Sequence, residues 1–153
     1  MKLGTAERAA LADLVHRYAA GVDDRQFDAV TGLFTEDAEL MLPEPPVTLD
    51  PAHRHRGHAA IRGAVAAVGA TIRTQHIIAS EVYDAGPLPD GAHGRIAGVA
   101  HHWIRHEGQI RDVVWHLRYD DDYRRTDAGW RFARRALTIN AIETGPTRQV
   151  RSG

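Results

Sequence analysis

The chain has no cysteine. Disulfides, thiolate nucleophiles and zinc–thiolate centres are therefore excluded. It also has no long apolar run. No stretch could span a bilayer, and the N-terminal "MKLGTAERAALADL" lacks an apolar core of signal-peptide length. Charge of one sign is not in excess: 19 basic residues face 20 acidic ones, for a net charge of −1 with neutral histidines. On that balance neither nucleic acid nor a membrane surface is expected as a partner, and the cytoplasm is the default compartment. Repeats and linkers are missing too. A length of 153 residues suits one domain with its own core. We assign residues 1–145 to that domain and 146–153, "PTRQVRSG", to a mobile tail with the reach to cover a pocket.

What the chain does have is histidine, ten of them. One stands in "TIRTQHIIAS", residues 71–80, just before Ile77 and Ile78. An ionisable ring in an apolar strand is either a core histidine with its bonds satisfied or the base of an active site. A partner elsewhere in the chain decides which.

The pattern predicts a helical first half and a strand-rich second half. In "AERAALADLVHRYAAGVDD", Leu11, Leu14, Val15, Tyr18, Ala19 and Val22 recur at helical spacing, with Gly21 weakening the end. "QFDAVTGLF" reads as a short second helix, "AELML" as a short strand and "HAAIRGAVAAVGA" as a third helix. "PEPPVTLDPAHRHRG" holds four prolines and is expected to be a loop. Four long segments follow, rich in β-branched and aromatic residues and parted by "GPLPDG", "EGQ" and "TDAG". Helices before an antiparallel meander predict an α+β fold, with helices closing a pocket on one face of a curved sheet.

Alternation along the strands then sorts the side chains. Thr74, His76, Ile78 and Ser80 share one face. Ala100, His102, Ile104 and His106 share another, opposite His101, Trp103 and Arg105. Val113, Trp115, Leu117 and Tyr119 form the apolar set of the third long strand, with His116 and Arg118 opposite.

The succession of "YAAGVDDRQFD", "LFTEDAEL", a glycine opening a helix, "RTQH" and "YRRTDAGWRF" resembles the SnoaL-like group of the nuclear transport factor 2-like superfamily. The resemblance covers nearly the whole chain and implies a cone-shaped α+β barrel. "GVDDRQ" with "RTQH" is more specific, and is similar to scytalone dehydratase, the bile acid 7α-dehydratases and hexachlorocyclohexane dehydrochlorinase. Those enzymes pair an aspartate after the first helix with a histidine on the first long strand, and the matching positions are Asp23 and His76. The bile acid dehydratases carry a tyrosine where Tyr18 stands. Scytalone dehydratase has a second pocket histidine, for which His106 is the nearest match. There are departures. Two tyrosines that hold a water on the scytalone carbonyl fall on Val22 and Leu42, and an asparagine falls at about Tyr119, so a different substrate is expected. Ketosteroid isomerases place their base where Leu42 stands, which argues against that chemistry.

Elementary chemistry agrees with the pairing. Histidine titrates nearest neutral pH and so takes a proton from carbon and returns it to a leaving group. A carboxylate on one ring nitrogen fixes the tautomer and stabilises the imidazolium. A tyrosine hydroxyl bonds a developing enolate. Neither step needs a metal or another cofactor. The expected function is a cofactor-independent lyase, a dehydratase acting on a small cyclic or polyketide-like hydroxy-carbonyl compound. His76 is its base, Asp23 the orienter and Tyr18 a polar aid. His102, His106, Tyr119, Leu42 and Val22 are expected against the substrate. A polyketide cyclase or isomerase, or a non-catalytic binding protein, are the alternatives. On spacing alone Asp24 rivals Asp23, and only the resemblance favours Asp23.

The remaining features read more plainly. His53, His55 and His58 in "HRHRGH" have the spacing of a metal pair, but Arg54 and Arg56 between them repel a cation, so no metal is expected. A loop flanking the pocket mouth is the better reading. His16, His93 and His101 read as surface residues, and "YDDDYRR" as a solvated strand end. Aromatic residues on the sheet face opposite the pocket, Trp103 and Trp115 or their neighbours, predict a homo-oligomer, dimer or trimer.

Overall fold

In the computed structural model, which describes residues 2–152, the first helix forms where the apolar spacing places it. α1 (Thr5–Asp23) buries Leu11, Leu14, Val15, Tyr18, Ala19 and Val22 as one stripe. Gly21 makes a close contact rather than a weak end. A Cβ there would lie 2.6 Å from Val30 Cγ2 of α2 (Phe27–Thr31). Between the two helices the chain closes a Schellman turn: the Gln26 N–H bonds to the Gly21 carbonyl at 2.9 Å and the Arg25 N–H to Val22 at 3.1 Å. Arg25 takes φ 58° there, a left-handed conformation that costs an L residue roughly 1 kcal/mol. Its guanidinium offsets that cost by donating to the carbonyls of Thr71 at 2.8 Å and Ile72 at 3.3 Å. The end of α1 is thereby tied to the chain entering the first long strand.

Six strands follow: β1 (Phe34–Glu44), β2 (Thr48–Arg56), β3 (Arg73–Ala85), β4 (Gly91–His106), β5 (Gln109–Thr126) and β6 (Gly129–Pro146). α3 (Gly57–Ala66) and a single 3₁₀ turn, Ala67–Ala70, join β2 to β3. The sheet order is β2-β1-β6-β5-β4-β3. β3 to β6 form the expected antiparallel meander, but β1 runs parallel to β6, so the sheet is mixed rather than wholly antiparallel. β5 and β6 are 18 residues each, and register shifts at His116/Leu117 and Asp122/Tyr123 bend them. α1 and α3 lie against the sheet, and the core between them includes Leu11, Val15, Phe34, Leu40, Ile61, Ile96 and Phe132.

The proline-rich segment is a turn only at residues 45–47. Thr48–Arg56 is a strand, pairing Leu40 with His55 and Leu42 with His53. It occupies the sheet edge, where a proline without an N–H removes no ladder bond, and the register slips between Leu42 and Glu44, opposite the segment that holds Pro51. The strand predicted as "AELML" accordingly extends to eleven residues. The C-terminal segment turns back on the sheet: the Thr147 N–H bonds to the Ile110 carbonyl at 3.0 Å, and Arg73 Nε donates to the Arg151 carbonyl at 3.1 Å. Among the described residues, no helix is long and apolar enough to cross a membrane.

Candidate active site

Asp23 is the last residue of α1, where the helix dipole disfavours a carboxylate. Three hydrogen bonds answer that. Thr74 Oγ1 donates to Asp23 Oδ1 at 2.9 Å, the backbone N–H of His76 to Oδ2 at 2.8 Å, and His76 Nδ1 to Oδ1 at 2.7 Å. Alternation along β3 puts Thr74 and His76 on the same face, and the Arg25 clamp holds the helix end against them. The side chains of Asp23 and His76 are 20% and 10% exposed, so solvent competes little for the contact. An ionised carboxylate only accepts, so His76 carries its hydrogen on Nδ1 and presents Nε2 to the cavity it lines.

That cavity holds about 370 Å³. Tyr18 and Val22 reach it from α1, Leu40 and Leu42 from β1, and Ala64, Val65, Ala67, Val68 and Thr71 from α3 and the turn after it. His76, His102, Ile104, Val113, Trp115, Leu117, Tyr119 and Leu137 complete the sheet wall. Among the described residues, none of those lining it is an arginine, lysine, aspartate or glutamate. Asp23 sits behind His76 rather than in the wall.

His102 is the second imidazole of the cavity. Its Nδ1 lies 2.9 Å from the carbonyl of Val113, which accepts only, so Nδ1 carries the hydrogen. Burial, with His76 beside it, holds its pKa below the usual imidazole range, against the opposing pull of Val113 and Asp112. His102 is therefore neutral, with a bare Nε2. Its ring packs on Trp115 at 4.4 Å and stands 6.2 Å from that of His76.

Beneath the tyrosines lies a group the sequence reading missed. Arg135 is wholly buried and forks onto Asp121, Nε to Oδ1 at 2.9 Å and the second nitrogen to Oδ2 at 3.2 Å. Tyr123 donates to the same carboxylate at 2.7 Å. The guanidinium carbon lies 3.6 Å from the Tyr119 ring centre, 4.3 Å from Tyr18 and 4.5 Å from Phe132. Burial opposes the charge on Arg135, but Asp121 and the surrounding Tyr119, Tyr18 and Tyr123 together outweigh it and keep the guanidinium protonated. Burial raises the pKa values of Tyr18 and Tyr119, so both stay hydroxyl donors. "YDDDYRR" is thus not simply a solvated strand end. Alternation sends Asp120 and Asp122 outward and Asp121 inward, a signal available in the period-2 pattern.

Of the residues selected from sequence, Tyr18, Val22, Leu42, His76, His102 and Tyr119 line one cavity with Asp23 behind. His106 does not join them. It ends β4 with its side chain 62% exposed, 3.8 Å from Glu107. His102, four residues earlier on the same face, occupies the pocket instead. Asp24 is exposed and has no part in the pair. Trp115 faces the cavity, so of the two tryptophans named for the opposite sheet face only Trp103 is there, stacked on His101 at 5.4 Å. His101 is not a bare surface residue, since its Nδ1 bonds to Asp112 at 2.6 Å. His16 and His93 are exposed and pair with Glu81 and Asp122. Among the described residues, no cluster of three or more His, Asp or Glu side chains is placed to hold a metal.

The chain belongs to the SnoaL-like domain family, which matches residues 5–136. Solved structures agree on the fold. A protein of Novosphingobium aromaticivorans named provisionally as an aromatic ring hydroxylase is 25% identical, with 95% of this chain and 96% of that one covered at a TM-score of 0.75. A second from the same organism, named provisionally as a scytalone dehydratase, is 22% identical over 96% and 91%, with a TM-score of 0.74. A hexachlorocyclohexane dehydrochlorinase of Novosphingobium barchaimii is 19% identical over 95% and 92%, with a TM-score of 0.72. No protein of curated function matches the chain significantly.

Proposed function

We propose that the protein is a cofactor-independent lyase, a dehydratase acting on a small, neutral, cyclic hydroxy-carbonyl compound. The observation that carries this reading is the Asp23–His76 contact at 2.7 Å on the wall of an apolar cavity. Family membership, and structural neighbours named for eliminations, support it. Substrate would enter with its carbonyl oxygen near the Tyr18 hydroxyl and the adjacent C–H against His76 Nε2. His76 takes the proton, and the electron pair left behind becomes an enolate that Tyr18 stabilises. Asp23 holds the imidazolium. The enolate then re-forms the carbonyl, a carbon–carbon double bond forms, and hydroxide leaves with the proton that His76 returns, as water.

His102 has a part in this that its tautomer defines. Its Nδ1 donates to Val113, so toward the cavity it offers only the bare Nε2, which accepts a hydrogen bond and would hold a substrate hydroxyl. A cavity wall without arginine or lysine offers a carboxylate or phosphate no partner, which favours uncharged substrates. The test is a screen of neutral cyclic hydroxy-ketones read by mass. Loss of water supports a dehydratase. A product of unchanged mass points to isomerisation or cyclisation in the same pocket. Binding without turnover across the screen rejects the enzyme reading.

A further inference from the structure

We infer that the cavity continues outward into a second, polar subsite on β2, where His55 takes a neutral hydrogen-bonding oxygen at the far end of the substrate. This rests on the reading that the main cavity holds the reacting ring. The register places the subsite. Leu40 and Leu42 of β1 line the main cavity, and across the ladder their partners are His55 and His53. Moving one strand toward the sheet edge, the same face changes from leucine to imidazole. A hollow of about 380 Å³ lies there, and it shares Leu42, Ala64 and Ala67 with the main cavity. A leucine and two alanines therefore belong to both walls, and the two hollows adjoin. Alanine is the smallest side chain that leaves the helix intact, so the divide is low, and a ligand outgrowing the first cavity would pass over it.

The two histidines are not equivalent. His53 is engaged, its Nε2 2.7 Å from Glu44. His55 is half-buried, and its ring makes no hydrogen bond among the described residues. Charge does not dominate the hollow. Arg54 reaches it, but Arg54 and its neighbour Arg56 are drawn to Glu39 at 3.6 and 3.9 Å. An imidazole with both nitrogens free suits an alcohol, which both donates and accepts.

Calorimetry on the intact protein tests this with a hydroxytetralone, a ring-fused cyclic ketone, and its ethers of increasing chain length, ending in either a hydroxyl or a methyl group. Once the chain is long enough, the hydroxyl-ended ether should bind about three- to tenfold more tightly than its methyl-ended match, the worth of one neutral hydrogen bond. His55→Leu should abolish that difference. Ala67→Leu, in the divide between the two hollows, should weaken both long ethers more than it weakens the parent hydroxytetralone. A hydroxyl advantage that never arises while the parent binds, or that survives His55→Leu, overturns the inference. Failure of the parent to bind overturns the reading of the main cavity and this inference with it.

Discussion

Asp23 grips His76 twice, through the ring at Nδ1 and through the residue's own backbone N–H. The second bond uses the other carboxylate oxygen, so the side chain is oriented as well as attracted. One aspartate thereby sets the ring's position and its tautomer together.

That double contact makes a spectroscopic prediction. Ring ¹⁵N shifts of His76 should report a protonated Nδ1 and a bare Nε2. In Asp23→Asn the amide offers hydrogens as well as an oxygen, so the Nδ1 tautomer should lose its dominance. Asp24→Asn, one residue on and exposed, should leave the spectrum as it was.

The buried ion pair makes a second prediction. Arg135 and Asp121 are both wholly enclosed. Arg135→Met strands the carboxylate, and removing one partner of such a pair costs about 3–5 kcal/mol. Pairing Arg135→Met with Asp121→Asn removes the stranded charge and should recover a large part of that loss. Urea unfolding of the single and double variants measures both. A double variant no more stable than the single one would show that the aromatic rings, not Asp121, hold Arg135 in place.

His102 predicts how stability depends on pH. Its pKa in the folded protein is depressed by burial, so the unfolded chain takes up this proton first as pH falls. Stability from this group is complete above the ordinary imidazole value of about 6.5 and is lost as pH falls toward the depressed value. His102→Asn keeps a donor for the Val113 carbonyl and cannot titrate. Its thermal midpoint should therefore change less between about pH 7 and pH 5 than that of the wild type. Equal slopes would mean that another group carries the dependence.

Assembly is predicted from the outer face of the sheet. Trp103 is only partly covered there, Ile77 is 44% exposed, and Asp112 Oδ1 is buried without a hydrogen-bond partner among the described residues. We expect a second copy to cover this face. Light scattering should give a dimer or trimer mass, and Trp103→Glu should shift it toward the monomer. A monomer mass across a wide concentration range contradicts this.

What was legible in the sequence follows from range. α1 and the meander rest on local periodicity, and Asp23 with His76 on a local motif at each end. The β2 strand was illegible because its proline, Pro51, is permitted only by its place at the sheet edge, which no local pattern reveals. His102 and His106 could not be told apart in the sequence because they share one strand face, whereas the depth of the cavity decides which of the two reaches it. Arg135 was hidden because an arginine reads as surface unless its partner is known, and Asp121 is fourteen residues away.

The central claim is that His76 and Asp23 act as one unit of general base. The direct measurement is a kinetic cycle on whichever hydroxy-ketone the screen yields: His76→Ala, Asp23→Asn and the double variant, each confirmed as folded by circular dichroism. Loss of the base should lower turnover by roughly 10²–10⁴-fold or more. Asp23→Asn should lower turnover strongly with little change in binding, and the double variant should be scarcely worse than His76→Ala, because residues acting as a unit are not additive. Tyr18→Phe should cost an intermediate amount. A folded His76→Ala protein with near-normal turnover would contradict the account and move the base to His102.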